Sequence, residues 1–461
     1  MNDSPIPVAD RVPATSTAVC YRMQPARQMF TNGFCAHSCS IAAGGPNAAG
    51  GLVNNTPPCL LSEQQHTLVE LGGAHRAVLM ITPQATGDAI DQAWEAVSTV
   101  RVILNQQSVP MTLSMQTVFV RRADDIDAFR NLFNAYYGER MPPTSFIVQP
   151  PCGGQALAIE AWAVGGEQVE IQRPAADVLT VTHDGLRWIH IAGVVAPEPA
   201  ADAYGQAAAL FAELTKRLAL CGASFQDVPR IWLYQGGITH SDSSVDSPTS
   251  VQRYQEMNRA RTDFFEEMHA WGLMNVDSDG HIIYPASTGI GMAGRGLTLS
   301  CLGLTTQRSD VRLIALENPQ QTSAFDYARR FSDKSPKFSR AMAVVVGDYL
   351  TTWISGTASI VNSETVHAGD IERQTHQTID NIQRLISAEN FSRHGASGAG
   401  AELSDLAKVR VYVKQLEDFE KCRAVCRERL GDLPSIFARA DVCRSDLLVE
   451  IEGVAFSRAT I

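Results

Sequence analysis

Apolar residues recur at helical spacing in three separate stretches of the chain, and the same succession of patterns follows each one. Ile90, Trp94, Val97 and Leu104 mark one side of a helix behind Asp88. Tyr204, Ala208, Phe211 and Leu218 do so behind Asp202, and Ile371, Ile382 and Leu385 behind Asp370. Strand-like alternation follows at 115–120, 230–234 and 409–413, and second helices at 126–137, 251–271 and 416–430. Each series then reaches a proline turn: Met141-Pro142-Pro143-Thr144, Tyr284-Pro285-Ala286-Ser287 and Leu433-Pro434-Ser435-Ile436. Last strands are expected at 156–164, 296–304 and 447–456, and strands ahead of the first helices at 76–81, 186–192 and 350–355. The pattern is that of an α+β unit, ββαβαβ, which must bury one sheet face under its two helices. The period is too long for a solenoid, so the chain reads as a domain triplication.

The units fall at 65–170, 171–318 and 319–461, the last opening with a linker over 319–340. Residues 1–64 fit no repeat; 40–58, rich in Gly, Ala, Asn and Pro, read as a flexible arm. With 45% hydrophobic and 19% charged residues, the composition is that of a globular protein. A formal net charge of -11 argues against nucleic acid or an anionic membrane as partner, since both select a basic face. An anionic small-molecule substrate would therefore need a local cluster of Arg or Lys. No apolar run approaches the roughly 20 residues that span a bilayer. Residues 1–12 lack the apolar segment of a signal peptide, and the ten cysteines lack the dense spacing of a secreted scaffold. A cytoplasmic location is expected. Cys35-Ala36-His37-Ser38-Cys39 has no second ligand pair at finger spacing, and Gly294-Arg295-Gly296 opens a strand instead of cradling a phosphate. No metal, flavin, nicotinamide or other cofactor is expected.

Gly369-Asp370 at a helix start, the strand 408–413 and the ending Val449-Glu450-Ile451-Glu452 resemble the RidA/YjgF superfamily. That resemblance implies a chorismate-mutase-like fold, usually trimeric, with active sites between subunits. Three such units in one chain imply a covalent pseudo-trimer that is monomeric or weakly self-associating. A tighter resemblance covers roughly residues 165–461. Its stretches are Tyr284-Pro285-Ala286-Ser287-Thr288-Gly289-Ile290-Gly291, Glu317-Asn318-Pro319, Ser335-Pro336-Lys337-Phe338-Ser339-Arg340-Ala341, Ile354-Ser355-Gly356-Thr357-Ala358, 365–370, Ala388-Glu389-Asn390 with Arg393-His394-Gly395, and 443–453. In that order they are similar to the chorismatases, which implies removal of pyruvate from chorismate without a cofactor. The chain also departs from these patterns. The arginine that RidA proteins carry after the proline turn is Thr144, Ser287 and Ile436, which argues against imine deamination. The last-strand glutamate keeps its catalytic register only as Glu450; Ala158 takes that place in the first unit, and Thr298, Ser300 and Cys301 stand there in the second. A complete first unit is additional to the resemblance and leaves room for a related enol ether, an amino-substituted chorismate or an imine. An inert ligand-binding relative is the non-enzymatic alternative.

Breaking an enol ether by protonating its methylene carbon needs an acid of raised pKa held away from water. Glu450, among Leu447, Leu448, Val449 and Ile451, suits that role, and the resemblance places the catalytic glutamate there; a solvent-facing carboxylate is the plain alternative. Cys443 and Gly356 match the hydroxybenzoate-forming branch of the resembled family, whereas its hydrolases carry a residue without a thiol and an alanine. This implies Cys443 as the second catalytic residue and 3-hydroxybenzoate as product. The plain alternatives are an inert core thiol and a glycine of unusual φ/ψ. The two carboxylates of chorismate call for bidentate arginines with a tyrosine or lysine. The candidates are Arg261, Tyr327, Lys334, Arg340 and Arg444, with Phe338 as a wall.

Overall fold

The aspartate ahead of each first helix turns out to be its cap. The side chain of Asp88 accepts from the backbone N–H groups of Ile90 and Asp91 at 2.8 and 2.9 Å and starts α1 (Ala89–Asn105). Asp202 accepts from Gly205 at 2.6 Å to start α3 (Ala203–Leu220), and Asp370 from Arg373 at 3.0 Å to start α5 (Ile371–Ile386). The computed structural model describes residues 62–459 apart from 72, 85, 197–201, 245–246 and 327–333. The 35–39 stretch and Tyr327 lie outside the described residues.

The first sheet holds β1 (Ser62–Leu71), β2 (Ala74–Pro83), β3 (Met111–Val120), β4 (Thr144–Ile147) and β5 (Leu157–Gly165), ordered β1-β2-β5-β3-β4, with α2 (Ile126–Tyr137) beside α1. The second holds β6 (Glu170–Ala175), β7 (Val178–His183), β8 (Leu186–Val195), β9 (Arg230–Gly236), β12 (Ala286–Met292) and β13 (Leu297–Thr306), ordered β12-β9-β13-β8-β7-β6. Between β9 and α4 (Arg253–Ala270) lies a ribbon of β10 (Ser241–Ser244) and β11 (Ser247–Gln252). The third holds β14 (Val311–Leu316), β15 (Ala341–Val346), β16 (Tyr349–Ala358), β19 (Leu406–Val413), β20 (Ser435–Arg439) and β21 (Val449–Arg458), ordered β14-β15-β16-β21-β19-β20. Its other elements are β17 (Ile360–Val361), β18 (Glu364–Thr365), α6 (Ala388–Arg393) and α7 (Phe419–Leu430).

Several expectations need correction. After each proline turn the chain does not simply bend. It runs on as β4, β12 or β20, each parallel to the strand before the intervening helix. β14, which a boundary at 318 leaves in the second unit, pairs with β15 in the third sheet. Ile90 and Trp94 of α1 are exposed, the indole lying edge-on to Tyr136 at 5.4 Å, and the buried stripe is Ala93, Ala96, Val97, Val100, Ile103 and Leu104. Ala208 is exposed as well, because Ala207, Leu210, Phe211 and Leu214 fill the inward face of α3.

One face of each sheet packs under its helices in a separate core, and the opposite faces converge on a shared one. Trp353 of the third sheet meets Trp162 of the first at 5.2 Å and Trp232 of the second at 6.0 Å. Amid these apolar walls lies a buried ion cluster. Arg410 Nε donates to Glu160 Oε2 at 2.6 Å and its Nη1 stands 3.3 Å from Glu452 Oε1. Lys408 Nζ is 3.2 Å from Glu160, Arg230 donates to Glu452 at 2.7 Å, and the Trp162 and Trp232 indoles donate to Glu160 and Glu452. Burial pushes the Glu160 carboxyl up, but Arg410 and Lys408 outweigh it and hold the group at about 2. Among the described residues, no helix is long and apolar enough to cross a membrane.

Arg410→Ala should therefore be among the most damaging substitutions. Removing one partner of a buried ion pair costs roughly 3–5 kcal/mol, because the other charge stays behind uncompensated. Denaturant unfolding should show that loss, with partial recovery when Glu160→Gln is added; a loss below about 1 kcal/mol would contradict the cluster's role.

Candidate active site

A β-bulge builds the floor of the site. The β16–β21 ladder pairs Ile354 with Gly453 and Thr357 with Ile451, so Ser355 and Gly356 together oppose Glu452. The bulged backbone turns to other partners. Ser355 N–H donates to Arg340 O and Gly356 N–H to Thr288 Oγ1, both at 3.0 Å. Thr288 also accepts from Arg230 at 2.6 Å and donates to Glu452, tying the floor to the ion cluster. Gly356 is not at positive φ, so unusual dihedrals do not explain it. A methyl group there would run into the Glu450 carboxyl and come within 3.2 Å of Thr288 Cγ2. The open space above this glycine is occupied by the acid.

Glu450 faces Ala358 and Tyr412 across its two neighbouring strands and is 5% exposed. It accepts no hydrogen bond from any described residue. Burial raises its pKa to about 8 and the like charge of Glu452 adds to the rise, while Arg230 and Arg340 only partly offset them. The carboxyl is thus a neutral acid at pH 7 with its proton uncommitted. Cys443 lies on the loop before β21, half-buried, with its carbonyl accepting from Gln252 at 3.2 Å. Burial, then Glu450, pushes its thiol up to about 12, which keeps it from acting as a thiolate nucleophile.

The far wall comes from α4 and β12 of the second sheet. Tyr254, Asn258 and Arg261 share one face of α4 through spacings of four and three. Arg261 donates to Asn258 Oδ1 at 2.5 Å and to Ser287 Oγ at 3.4 Å, and its buried Nε lacks a protein partner. The guanidinium groups of Arg261 and Arg340 lie 5.7 and 5.4 Å from the Phe338 ring. Burial raises the Tyr254 hydroxyl, and Cys443 and Glu450, which ionise before it does, add to the rise. Gly289 leaves room for the Tyr254 ring; a Cβ there would lie 3.3 Å from it.

Of the residues singled out from the sequence, Glu450, Gly356, Cys443, Arg261, Phe338 and Arg340 come together here. Lys334 does not. It pairs with Asp263 and stands 3.8 Å from Glu266, because those two α4 carboxylates draw its ammonium to the half-exposed side of the helix. Arg444 adjoins Cys443 in sequence but donates to Ser363 O at 2.8 Å. Sequence reasoning missed Tyr254 and Asn258, although their spacing from Arg261 was a usable signal, and it missed Thr288 inside the 284–291 stretch. Strand pairing puts Ala158 and Thr298 in the place of Glu450, opposite Phe119 and Tyr234 as Glu450 is opposite Tyr412. It also corrects one register. The counterpart of Ser287 in the third sheet is Ser435, since Ile436 pairs with Arg410 and points into the shared core.

Residues 333–457 match the family model described as Endoribonuclease L-PSP. A 3-hydroxybenzoate synthase of Streptomyces hygroscopicus is 33% identical over 303 residues, covering 64% of this chain and 80% of the relative. A chorismatase of Streptomyces rapamycinicus is 33% identical over 281 residues, 59% of this chain and 78% of its own. A solved chorismatase structure shares the fold, with a TM-score of 0.57 at 23% identity over 86% of this chain and 98% of that one. That overlap is wider than residues 165–461 alone can supply, so a counterpart to at least part of the first sheet belongs to the shared fold.

The raised acid predicts a pH signature in stability. With a folded value of about 8 against an ordinary 4.5, Glu450 keeps a proton that the unfolded chain releases between those two pH values. Its contribution is full below the unfolded value and is lost as pH rises through the folded one. Glu450→Gln cannot ionise, so calorimetry should give it a higher Tm than the parent above pH 8 and none of that advantage below 4.5. Equal pH dependence in the two proteins would remove the raised pKa.

Proposed function

The chain belongs to the chorismatase family, and from that premise we propose that it removes pyruvate from chorismate to give 3-hydroxybenzoate, with Glu450 as general acid. The observation carrying this reading is a single buried carboxyl, neutral near pH 7, seated over the bulge at Gly356. Glu450 delivers its proton to the methylene carbon of the enol ether and leaves positive charge beside the ether oxygen. The neighbouring ring hydroxyl oxygen attacks the carbon that bears the ether, and the C–O bond breaks to release pyruvate. The hydroxyl proton passes to the Glu450 carboxylate, which restores the acid, and an epoxide is left on the ring. Its bond to the carbon that first carried the hydroxyl then breaks, the other carbon gives up its hydrogen as a proton, and the freed oxygen takes up a proton to leave 3-hydroxybenzoate. The balance is one chorismate to one pyruvate and one hydroxybenzoate. No water is consumed, whereas the hydrolytic route to a diol consumes one.

The surroundings support that division. The neutral Cys443 thiol occupies volume beside the acid where an attacking water would have to stand. Arg261 and Arg340 flank Phe338 and offer cationic donors for the two substrate carboxylates, with Tyr254 and Asn258 completing the α4 wall. We read the chain as three units, the first ending near 170 and the third taking in β14 ahead of its linker, joined as a covalent pseudo-trimer whose reactive site lies between the second and third. Every wall of that site comes from one chain, so no second copy is needed to complete it.

Purified protein mixed with chorismate should release pyruvate, followed with lactate dehydrogenase. Glu450→Gln should keep its circular dichroism spectrum and lose at least about a hundredfold in rate, the low end for removing a general acid. Near-normal release by this variant would sink the assignment.

Chromatography of the same reaction should show 3-hydroxybenzoate as the main aromatic product. Cys443→Ala, by opening space for water, should divert part of the flux to the non-aromatic diol. A diol from the unsubstituted protein would assign the chain to the hydrolytic branch and leave the role of Glu450 standing.

A further inference from the structure

The reactive cleft has a counterpart between the third sheet and the first. In register, Phe437 of β20 takes the place of Gly289 of β12, since Val411 pairs with one as Leu233 pairs with the other. Phe437 packs edge-on against Phe419 of α7 at 5.5 Å, as Gly289 makes room for Tyr254 of α4. Counted from those rings, Arg423 and Cys426 repeat the spacing of Asn258 and Arg261. Opposite them stand the end of β2 and residues 151–155, and the space between is an open cavity of about 450 Å³. That volume lies within the roughly 300–1,000 Å³ usual for small-molecule sites. In this register Ala158 replaces Glu450, so the second cleft has no acid at the reactive position.

We infer that this cleft is a binding site for a small hydroxylated aromatic carboxylate and performs no chemistry on it. Phe419 and Phe437 supply aromatic faces, and the Arg423 guanidinium already lies 5.3 Å from the Phe419 ring. Arg423 and Arg427, four apart on α7, supply the cationic donors. Among the described residues the carboxylate paired with each is an exposed one, Glu420 at 2.8 Å and Asp432 at 3.4 Å. Exposed pairs of this kind hold weakly, so a ligand carboxylate that is better shielded from water displaces them readily. Across the cavity the side-chain oxygen of Gln155 is buried with no hydrogen-bond partner, an acceptor that suits a ligand hydroxyl. Gly153 permits this placement, because a Cβ there would lie 2.6 Å from that oxygen. The ligand class includes the product proposed above, and only the choice of probe rests on that reading.

The test is calorimetric titration of the full chain with 3-hydroxybenzoate and, separately, benzoate. Both should bind saturably, benzoate more weakly. Arg423→Ala combined with Arg427→Ala should weaken binding about tenfold or more, and Gln155→Leu should erase the preference for the hydroxylated ligand. Neither change should alter pyruvate release from chorismate measured without added ligand, which also reports that the variants are folded. Absence of saturable binding, or unchanged affinity in the double variant, overturns the assignment. If the parent chain releases no pyruvate, the proposed reaction fails while the titration still decides the second cleft.

Discussion

Three cations and two carboxylates are buried together where the sheets meet, and most of the remaining structure is constrained by keeping them paired. Arg410 reaches both Glu160 and Glu452, Lys408 stands by both, and Arg230 comes from the second sheet to Glu452. Moving any one sheet away strands a charge in an apolar interior, an arrangement that costs several kcal/mol per ion. The cluster also sets the chemistry beside it. Arg230 is engaged by Glu452 and Thr288, and Glu450, two residues along the same strand, is kept protonated first by its burial and then by repulsion from Glu452, which exceeds the relief from Arg230. One acid is kept ionised and structural so that its neighbour can stay protonated.

The repeated helices and strands were legible because their signals are local. An aspartate before a helix marks a cap wherever it occurs, and apolar spacing needs only a dozen residues to show itself. Glu450 was legible for a related reason, since comparing three copies of one strand shows which copy keeps the acid. The bulge at Ser355 and Gly356 was not. It appears only when β16 is laid against β21, and no pattern within either strand announces the two-against-one count. The ion cluster was hidden likewise, because Glu160, Arg230, Arg410 and Glu452 read singly as ordinary strand charges and become partners only across three sheets.

The misplaced features share another cause. Lys334 looked like a carboxylate ligand by residue type, but a flexible ammonium follows the nearest acids, and Asp263 and Glu266 are nearer. Ile436 was aligned by counting from the proline, whereas strand pairing puts Ser435 in that place. Trp94 fits the apolar spacing of α1, yet its ring finds a partner in Tyr136 at the surface.

Joining the three sheets in one chain has an evolutionary consequence. In an assembly of identical subunits, any residue near the common centre appears three times, and a glutamate there would confront two copies of itself. Here the corresponding positions are Glu160, Ser300 and Glu452, opposite Thr117, Trp232 and Arg410. The serine interrupts what would be a ring of three acids, and it hydrogen-bonds Ser145 at 2.7 Å in place of a cation. With each sheet written in its own stretch of sequence, a substitution at the centre need not be repeated threefold, and symmetry is no restriction on it. A single polypeptide can thus hold Glu160 and Glu452 among the cations and Glu450 protonated beside them, while the second sheet carries Ser300 and Thr298 at those positions.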